Sequence, residues 1–374
     1  MASPTSRGVV GRVLVIGGNG FLGHHIVNQA LADWTAQAVS SIDLRCDKNR
    51  NAGASYHECD ITDGPRLEAL VQHISPDVVI HTASPAASSD ASVSNSLFHR
   101  VNVEGTRSVI QACRATRSVK ALVYTSSASV ISDNETDLRN ADERWPVMRG
   151  ARQKEYYSET KAAAEQLVLE ANCPADGLVT TALRPAGIFG EGDVQTLAGF
   201  LKAYRTGKTH IQLGDNTNIF DFSYVGNVAH AHLLAARALL SVASDEAAGS
   251  RDDQPIAGEA FFITNDSPCY FWDFARAVWK AAGHVSPPGP AEKTVWTLSR
   301  GTSLVLGSLS AFFFGLVGKP PTFTRVRAVM ATMTRYYNIT KAKTVLKYEP
   351  LWTLQEGVDR GVGWFLEQEK KGAQ

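Results

Sequence analysis

Short runs of apolar and β-branched residues recur along this chain, and between them lie longer stretches with apolar positions every three or four residues. The first run, Arg12 to Ile16, leads at once into Gly17-Gly18-Asn19-Gly20-Phe21-Leu22-Gly23 and then an amphipathic stretch through about Leu31. That is the pattern of strand, glycine loop and helix. Val39 to Ile42, Tyr56 to Ile61, Val78 to His81 and Ala121 to Tyr124 read as further strands. Val101 to Cys113 is predicted helical, and Glu155 to Glu170 is rich in helix formers. Strands alternating with helices predict an α/β chain built on a doubly wound, Rossmann-type parallel sheet.

The same pattern divides the chain. Residues 12–190, with a return segment at about 214–240, form the dinucleotide-binding domain. Residues from about 191 to 213 and from about 257 to 327 form a smaller, discontinuous substrate-binding lobe, and 328–374 form a C-terminal region. Ser241 to Gly258 is small, polar and acidic, as in a surface loop, and Ser286-Pro287-Pro288-Gly289-Pro290 is a firm break.

Composition narrows the function classes. Of 374 residues, 44% are apolar, enough for a large core, and 37 basic residues balance 37 acidic ones. A neutral chain with no basic run interleaved with aromatics gives no reason to expect a nucleic-acid partner. The five cysteines are scattered and never spaced Cys-x-x-Cys, so neither a disulfide framework nor a zinc or other metal site is expected. The polar start, Met1 to Gly11, lacks the apolar core of a signal peptide and fits synthesis in the cytosol.

The glycine loop carries the first chemistry. Gly17 permits a tight turn, Gly20 lets backbone approach a pyrophosphate, and Gly23 allows close helix packing. Phe21 and Leu22 open the helix, whose N-terminal amides and dipole favour an anion. Asp43 ends the second strand, 20 residues beyond Gly23, where a carboxylate can accept both ribose hydroxyls of an adenosine. It favours NAD, because it would repel a 2′-phosphate; Arg45 could soften that preference, so NADP stays open. Asp60 and Ile61 could lie against the adenine, with Asp60 equally placed to cap the next helix. Ala83, among the small residues Thr82 to Pro85, would let a cofactor lie close to the chain. Thr125-Ser126-Ser127 puts hydroxyls at a strand's carboxyl end, the ligand edge of such sheets. Tyr157 and Lys161, four apart on one helical face, form an acid/base pair in which the ammonium is expected to lower the phenol's pKa.

In that order, these motifs resemble an extended short-chain dehydrogenase/reductase. Leu183-Arg184-Pro185-Ala186-Gly187-Ile188-Phe189-Gly190, Asp221-Phe222-Ser223-Tyr224-Val225-Gly226-Asn227-Val228-Ala229-His230-Ala231-His232 and Phe261-Phe262-Ile263-Thr264-Asn265 are similar to the 3β-hydroxysteroid dehydrogenase branch. Within that branch the chain resembles the fungal sterol-4α-carboxylate 3-dehydrogenases, which are decarboxylating. The resemblance runs from Arg12 to about Phe365.

It implies Tyr157 as catalytic acid/base, Lys161 as its electrostatic partner and nicotinamide-ribose ligand, and Ser127 as the hydroxyl that orients the substrate. Pro185 would lie beside the nicotinamide, and Asn102 would help position Lys161 or simply be a polar helix residue. The reaction implied is NAD(P)-dependent oxidation of the 3β-hydroxyl of a 4α-carboxy sterol or triterpenoid, with loss of carbon dioxide. A 3β-hydroxysteroid dehydrogenase/isomerase without decarboxylation and a nucleotide-sugar epimerase or reductase are the alternatives. The implied partners are the sterol substrate, a membrane surface at the cytosolic face of the endoplasmic reticulum, other C4-demethylation enzymes and a second copy in a homodimer. One departure concerns Ser132 to Arg152, with eleven charged or amide side chains leading into a basic stretch at Arg149 to Lys154; loops of this kind border a substrate mouth.

Between Arg300 and Lys319 lie 18 uncharged residues. Glycines and hydroxyls disfavour a membrane span. A shallow membrane-facing or substrate-facing helix is the expected reading, with a buried core helix as the alternative.

Overall fold

Seven strands form the main sheet, and the apolar runs predict the first five: β1 (Val9–Ile16), β2 (Thr35–Asp43), β3 (Ser55–Glu58), β4 (Val78–His81), β5 (Ala121–Thr125), β6 (Val179–Pro185) and β7 (Glu259–Ile263). The computed structural model describes residues 7–85, 93–244, 255–284, 295–316 and 323–372. The sheet order is β7-β6-β5-β4-β1-β2-β3, every pair parallel. Strand order reverses between β1 and β4, which opens a crevice at their carboxyl ends. The central strands β4, β5 and β6 are buried along their whole length, as expected of strands covered on both faces.

Helices α1 (Phe21–Ala32), α2 (Gly64–Ile74), α3 (Thr106–Ala115), α4 (Tyr156–Glu170) and α5 (Val225–Ala243) flank the sheet. Two apolar clusters result. One gathers Val13, Val15, Ile26 and Val123 with Leu233 and Leu239 of α5. The other gathers Leu14, Ile16, Leu122 and Tyr124 with Ala164 and Val168 of α4. Alternate residues of β1 and β5 thus feed opposite layers, the period-two rule of a strand.

Three boundaries differ from the sequence reading. Tyr56 to Ile61 is a strand only as far as Glu58, because Asp60 folds into a turn whose carboxylate accepts both the amide and the hydroxyl of Thr62. Asp63, not Asp60, caps α2, accepting the Arg66 amide. Val101 to Cys113 is divided, the π-helical turn His99–Gly105 preceding α3. Glu259–Ile263 belongs to the sheet as β7, paired with β6 across five residues, rather than opening the second lobe.

The smaller part contains a four-stranded sheet of Cys269–Tyr270, Ile219–Phe220, Arg335–Tyr337 and Leu138–Ala141. Its core is aromatic, with Phe222 stacked on Phe274 at 3.8 Å between centroids. The charged stretch Ser132 to Arg152 is tied into this sheet. Asp137 accepts the Thr334 amide, Glu135 meets Lys154 and Arg325, and Arg149 meets Glu159. Most of loop 241–258 and the whole break at Ser286 to Pro290 lie outside the described residues.

Arg300–Leu316 forms helix α6 and Leu354–Gly372 forms α7. Helix α6 packs on the segment entering Arg325–Thr332, close enough that a Cβ on Gly307 would fall 2.7 Å from the Arg325 amide nitrogen. Val305, Leu306, Leu309, Phe312 and Phe313 are exposed, which overturns the buried-core alternative. Among the described residues, no helix is long and apolar enough to cross a membrane.

Candidate active site

The glycine loop is shaped by steric necessity. Gly17 has φ +85°, and a Cβ there would lie 2.7 Å from the Ala83 amide nitrogen; a Cβ on Gly23 would lie 2.0 Å from the Gly17 carbonyl oxygen. Gly20 is the N-cap of α1, with no side chain capping it and no acidic residue in the first turn. The Phe21 and Leu22 amides therefore have no intrahelical acceptor and face a site suited to an anion. Phe21 and Leu22 themselves are half-buried and buried.

Asp43 stands where β2 ends. One of its oxygens accepts the Asn19 amide at 3.0 Å and the other accepts the Leu44 amide at 2.7 Å, so the carboxylate is anchored to the glycine loop. A carboxylate offers about four acceptor positions, leaving capacity for two ribose hydroxyls. Ser41 and Asn49 brace the loop through Asn19. Ile61 is buried against the π-helical turn at Gly105, while Asp60 is exposed. These residues fit an adenosine dinucleotide: a close-approach turn, free helix amides and an anchored acidic acceptor.

The segment after β4 joins this cradle to helix α4, which carries Tyr157 and Lys161. Ala83 abuts Gly17, and the next residue, Ser84, whose hydroxyl donates to the Pro85 carbonyl at 3.1 Å, lies close enough to the Tyr157 phenol to favour its ionised form. Tyr157 is half-buried with Phe98 edge-on at 5.7 Å, whereas its neighbour Tyr156 is 37% exposed. Helix α4 buries Lys161, Ala162, Ala164, Glu165 and Val168 along one face, and the small alanines let it approach the sheet.

Lys161 is 2% exposed. Its ammonium donates to the Thr125 carbonyl at 2.5 Å and lies 4.6 Å from the centroid of the Tyr124 ring. Thr125 is itself held, because its hydroxyl donates to His232 Nε2 at 2.8 Å while His232 Nδ1 bonds the Val228 carbonyl. Ser127, two residues on, is half-buried, and its oxygen lies 2.8 Å from the Ser129 hydroxyl. Asn102 does not reach Lys161 by hydrogen bond; it donates to Thr160 Oγ1 at 2.9 Å, and its own Oδ1 is buried without a partner among the described residues. Pro185 ends β6 opposite Ile263.

The expectation of a lowered phenol is corrected in the ligand-free protein. Burial pushes Tyr157 up to about 12 and Lys161 down to about 7, since desolvation penalises each charged form. The ammonium is directed at Thr125 and Tyr124, so the phenol gains little from it.

Long-range partners of the helix were not legible in the motifs. Arg184 of β6 meets Glu165 in a two-pronged ion pair, with distances of 2.9 and 2.6 Å, and both side chains are at most 5% exposed. On the cofactor side, the Tyr224 hydroxyl donates to Glu191, and Arg360 of α7 joins both. His25 meets the Glu191 carbonyl at 2.9 Å. Arg184 and Tyr224 lie within stretches whose apolar residues and glycines mark the fold, but nothing in their spacing announces a carboxylate partner.

Comparison with known proteins shows the family and the fold. Residues 14–290 match the model of the 3-beta hydroxysteroid dehydrogenase/isomerase family. The chain is 39% identical to the decarboxylating sterol-4-alpha-carboxylate 3-dehydrogenase of Saccharomyces cerevisiae, covering 95% of this chain and 98% of that one. It is 35% identical to the human protein of the same description, covering 95% and 88%. In fold it resembles the UDP-glucose 4-epimerase of Thermus thermophilus, solved with NAD, at a TM-score of 0.67, 23% identity and coverage of 95% and 99%. This chain belongs to the 3-beta hydroxysteroid dehydrogenase/isomerase family.

Proposed function

We propose that the protein oxidises the 3β-hydroxyl of a 4α-carboxy sterol, or of a related triterpenoid, with NAD, and that the C4 carboxylate leaves as carbon dioxide. The observation that carries this reading is the continuity from Gly17 through Ala83 and Ser84 to Tyr157, which sets the dinucleotide turn beside the buried acid/base helix. The names of the fungal and human relatives supply the substrate class.

The nicotinamide, when bound, supplies the hydride acceptor. Tyr157 takes the C3 hydroxyl proton at its phenolic oxygen, and Lys161 must lend its charge to that oxygen for the transfer to run near neutral pH. Ser127 fixes the direction of the substrate oxygen. The product is a β-keto acid. Its C3 carbonyl accepts the electron pair released as the carboxylate departs, and the resulting enol is protonated to the 3-ketone.

The test is purified protein with a 4α-carboxysterol and either cofactor, following reduced nicotinamide and carbon dioxide together. Tyr157→Phe is expected to abolish both products while cofactor binding persists; turnover by that variant would overturn the assignment. For the cofactor, Asp43→Ala is expected to erode a preference for NAD over NADP, and an unchanged ratio would remove Asp43 as the discriminator.

The exposed face of α6 supports peripheral contact with the cytosolic face of the endoplasmic reticulum membrane. Val305, Leu306, Leu309, Phe312 and Phe313 follow the spacing of a single helical face. A sterol partitions into bilayers, and an enzyme docked there meets it directly. Salt-washed membranes should retain the full chain and release a chain lacking 302–317; equal release of both would refute contact.

A further inference from the structure

We infer that Tyr124 is a positioning residue whose ring face keeps the Lys161 ammonium charged within the buried site. The inference deepens the reading above and rests on Lys161 as the partner of Tyr157. Lys161 is 2% exposed and Tyr124 1%, so the contact of 4.6 Å between ammonium and ring centroid is fully desolvated. Cation–π attraction is strongest under that condition.

The surroundings leave the ring few rivals. Glu165, on the same helix, raises Lys161 through its field but makes no ion pair with it, its carboxylate being engaged by Arg184 in the buried pair. His81 of β4 and His232 of α5 also face the ammonium, and burial holds both imidazoles neutral, down to about 3 and about 4. Tyr157, the remaining titratable neighbour on α4, is a neutral phenol in the ligand-free protein. The Thr125 carbonyl satisfies one donor of the ammonium. Against a desolvation that pulls Lys161 down to about 7, the Tyr124 face adds a direct contact to the more distant field of Glu165 and the Thr125 carbonyl.

The Tyr124 hydroxyl contributes nothing to this role. It lies beside Thr106 without a hydrogen bond of good geometry. The ring therefore acts through its face, and phenylalanine should substitute for it.

The experiment reads Lys161 without cofactor or substrate, so it stands or falls independently of the sterol reading. Nuclear magnetic resonance of side-chain-labelled lysine across a pH series, with the Lys161 signal assigned by its loss in Lys161→Met, gives its titration midpoint in the full chain without a reagent having to reach the buried amine. Tyr124→Phe is expected to leave the midpoint within about 0.3 pH units of the parent. Tyr124→Leu is expected to lower it by about one unit, a tenfold loss of proton affinity. A ring-fluorinated phenylalanine at the same position keeps the shape while draining the π face; it should behave as leucine does and guards against misfolding of the leucine variant. In turnover, the limb that depends on protonated Lys161 should shift to lower pH in the same two variants and recover with phenylalanine. A midpoint unchanged by fluorination overturns the inference, as does a phenylalanine variant that falls as far as the fluorinated one.

Discussion

The glycine loop and helix α4 with its Tyr157 and Lys161 sit side by side, yet they are held by different physics. The loop is fixed by excluded volume: Gly17, Gly18 and Gly23 pass so close to neighbouring atoms that a Cβ would overlap them, and the polar braces around Asn19 are local. The helix is fixed by charge brought in from afar, with Arg184 of β6 on Glu165 and the Lys161 ammonium on Tyr124 and Thr125. An overlap affects one position and is nearly indifferent to pH. A buried charge reaches its neighbours and responds to pH, because its energy depends on protonation.

The largest effect tests the charged side. Glu165→Ala leaves the Arg184 guanidinium buried without a counter-ion and should cost about 3–5 kcal/mol in urea unfolding. Replacing both partners by methionine should restore most of that stability, since a buried pair often breaks even with apolar packing. A double variant as unstable as the single one would show that the pair has no independent charge energy. On the steric side, Gly23→Ala should cost at the upper end of the about 1–3 kcal/mol typical of overpacking, and cofactor binding should be lost with it. Normal cofactor affinity in that variant would contradict the close approach at the Gly17 carbonyl.

The same difference explains what could be read from the chain alone. Gly17, Gly20, Gly23 and Asp43 are spaced by the geometry of one strand-turn-helix unit, so their placement follows from intervals in the sequence. Tyr157 and Lys161 share a helical face for the same local reason, and the choice of Tyr157 over Tyr156 follows from it. Arg184 and Glu165 meet only because β6 lies beside β5 and under α4, a consequence of sheet order that no interval encodes. The sequence reading puts Glu259–Ile263 in the second lobe, whereas it pairs with β6, for a related reason: a short apolar run looks alike at a sheet edge and in a separate lobe. The lowered phenol failed because proximity along the helix says nothing of where burial directs the ammonium.

A smaller effect comes from Lys161 itself. Its value in the folded protein is about 7 against the ordinary 10.5, so between those values the unfolded chain holds a proton that the folded one has lost. Stability attributable to this group is therefore lowest below about pH 7 and rises through the window, at up to about 1.4 kcal/mol per pH unit. Lys161→Met should be inactive, more stable than the parent at pH 7, and without that rise between pH 7 and 9. Urea midpoints at the two pH values decide it, and a rise of equal size in both proteins would place the titrating group elsewhere.

The smallest effect asks to which kind of construction the C-terminal helix belongs. Helix α7 meets the cofactor side through glycines, a Cβ on Gly357 falling 2.8 Å from the Tyr224 ring and one on Gly361 falling 3.2 Å from Gly190. It also carries Arg360, whose Nε donates to the Tyr224 hydroxyl at 2.8 Å and lies 3.3 Å from Glu191. The Arg360 side chain is 52% exposed, so solvent screens its charge. Arg360→Gln should therefore lower stability by less than about 1 kcal/mol, with the difference shrinking as salt is added. Gly361→Ala should cost more and be insensitive to salt. If the ranking is reversed, α7 is held by its ion pair as α4 is by Glu165, and the glycine contacts only follow the helix into place.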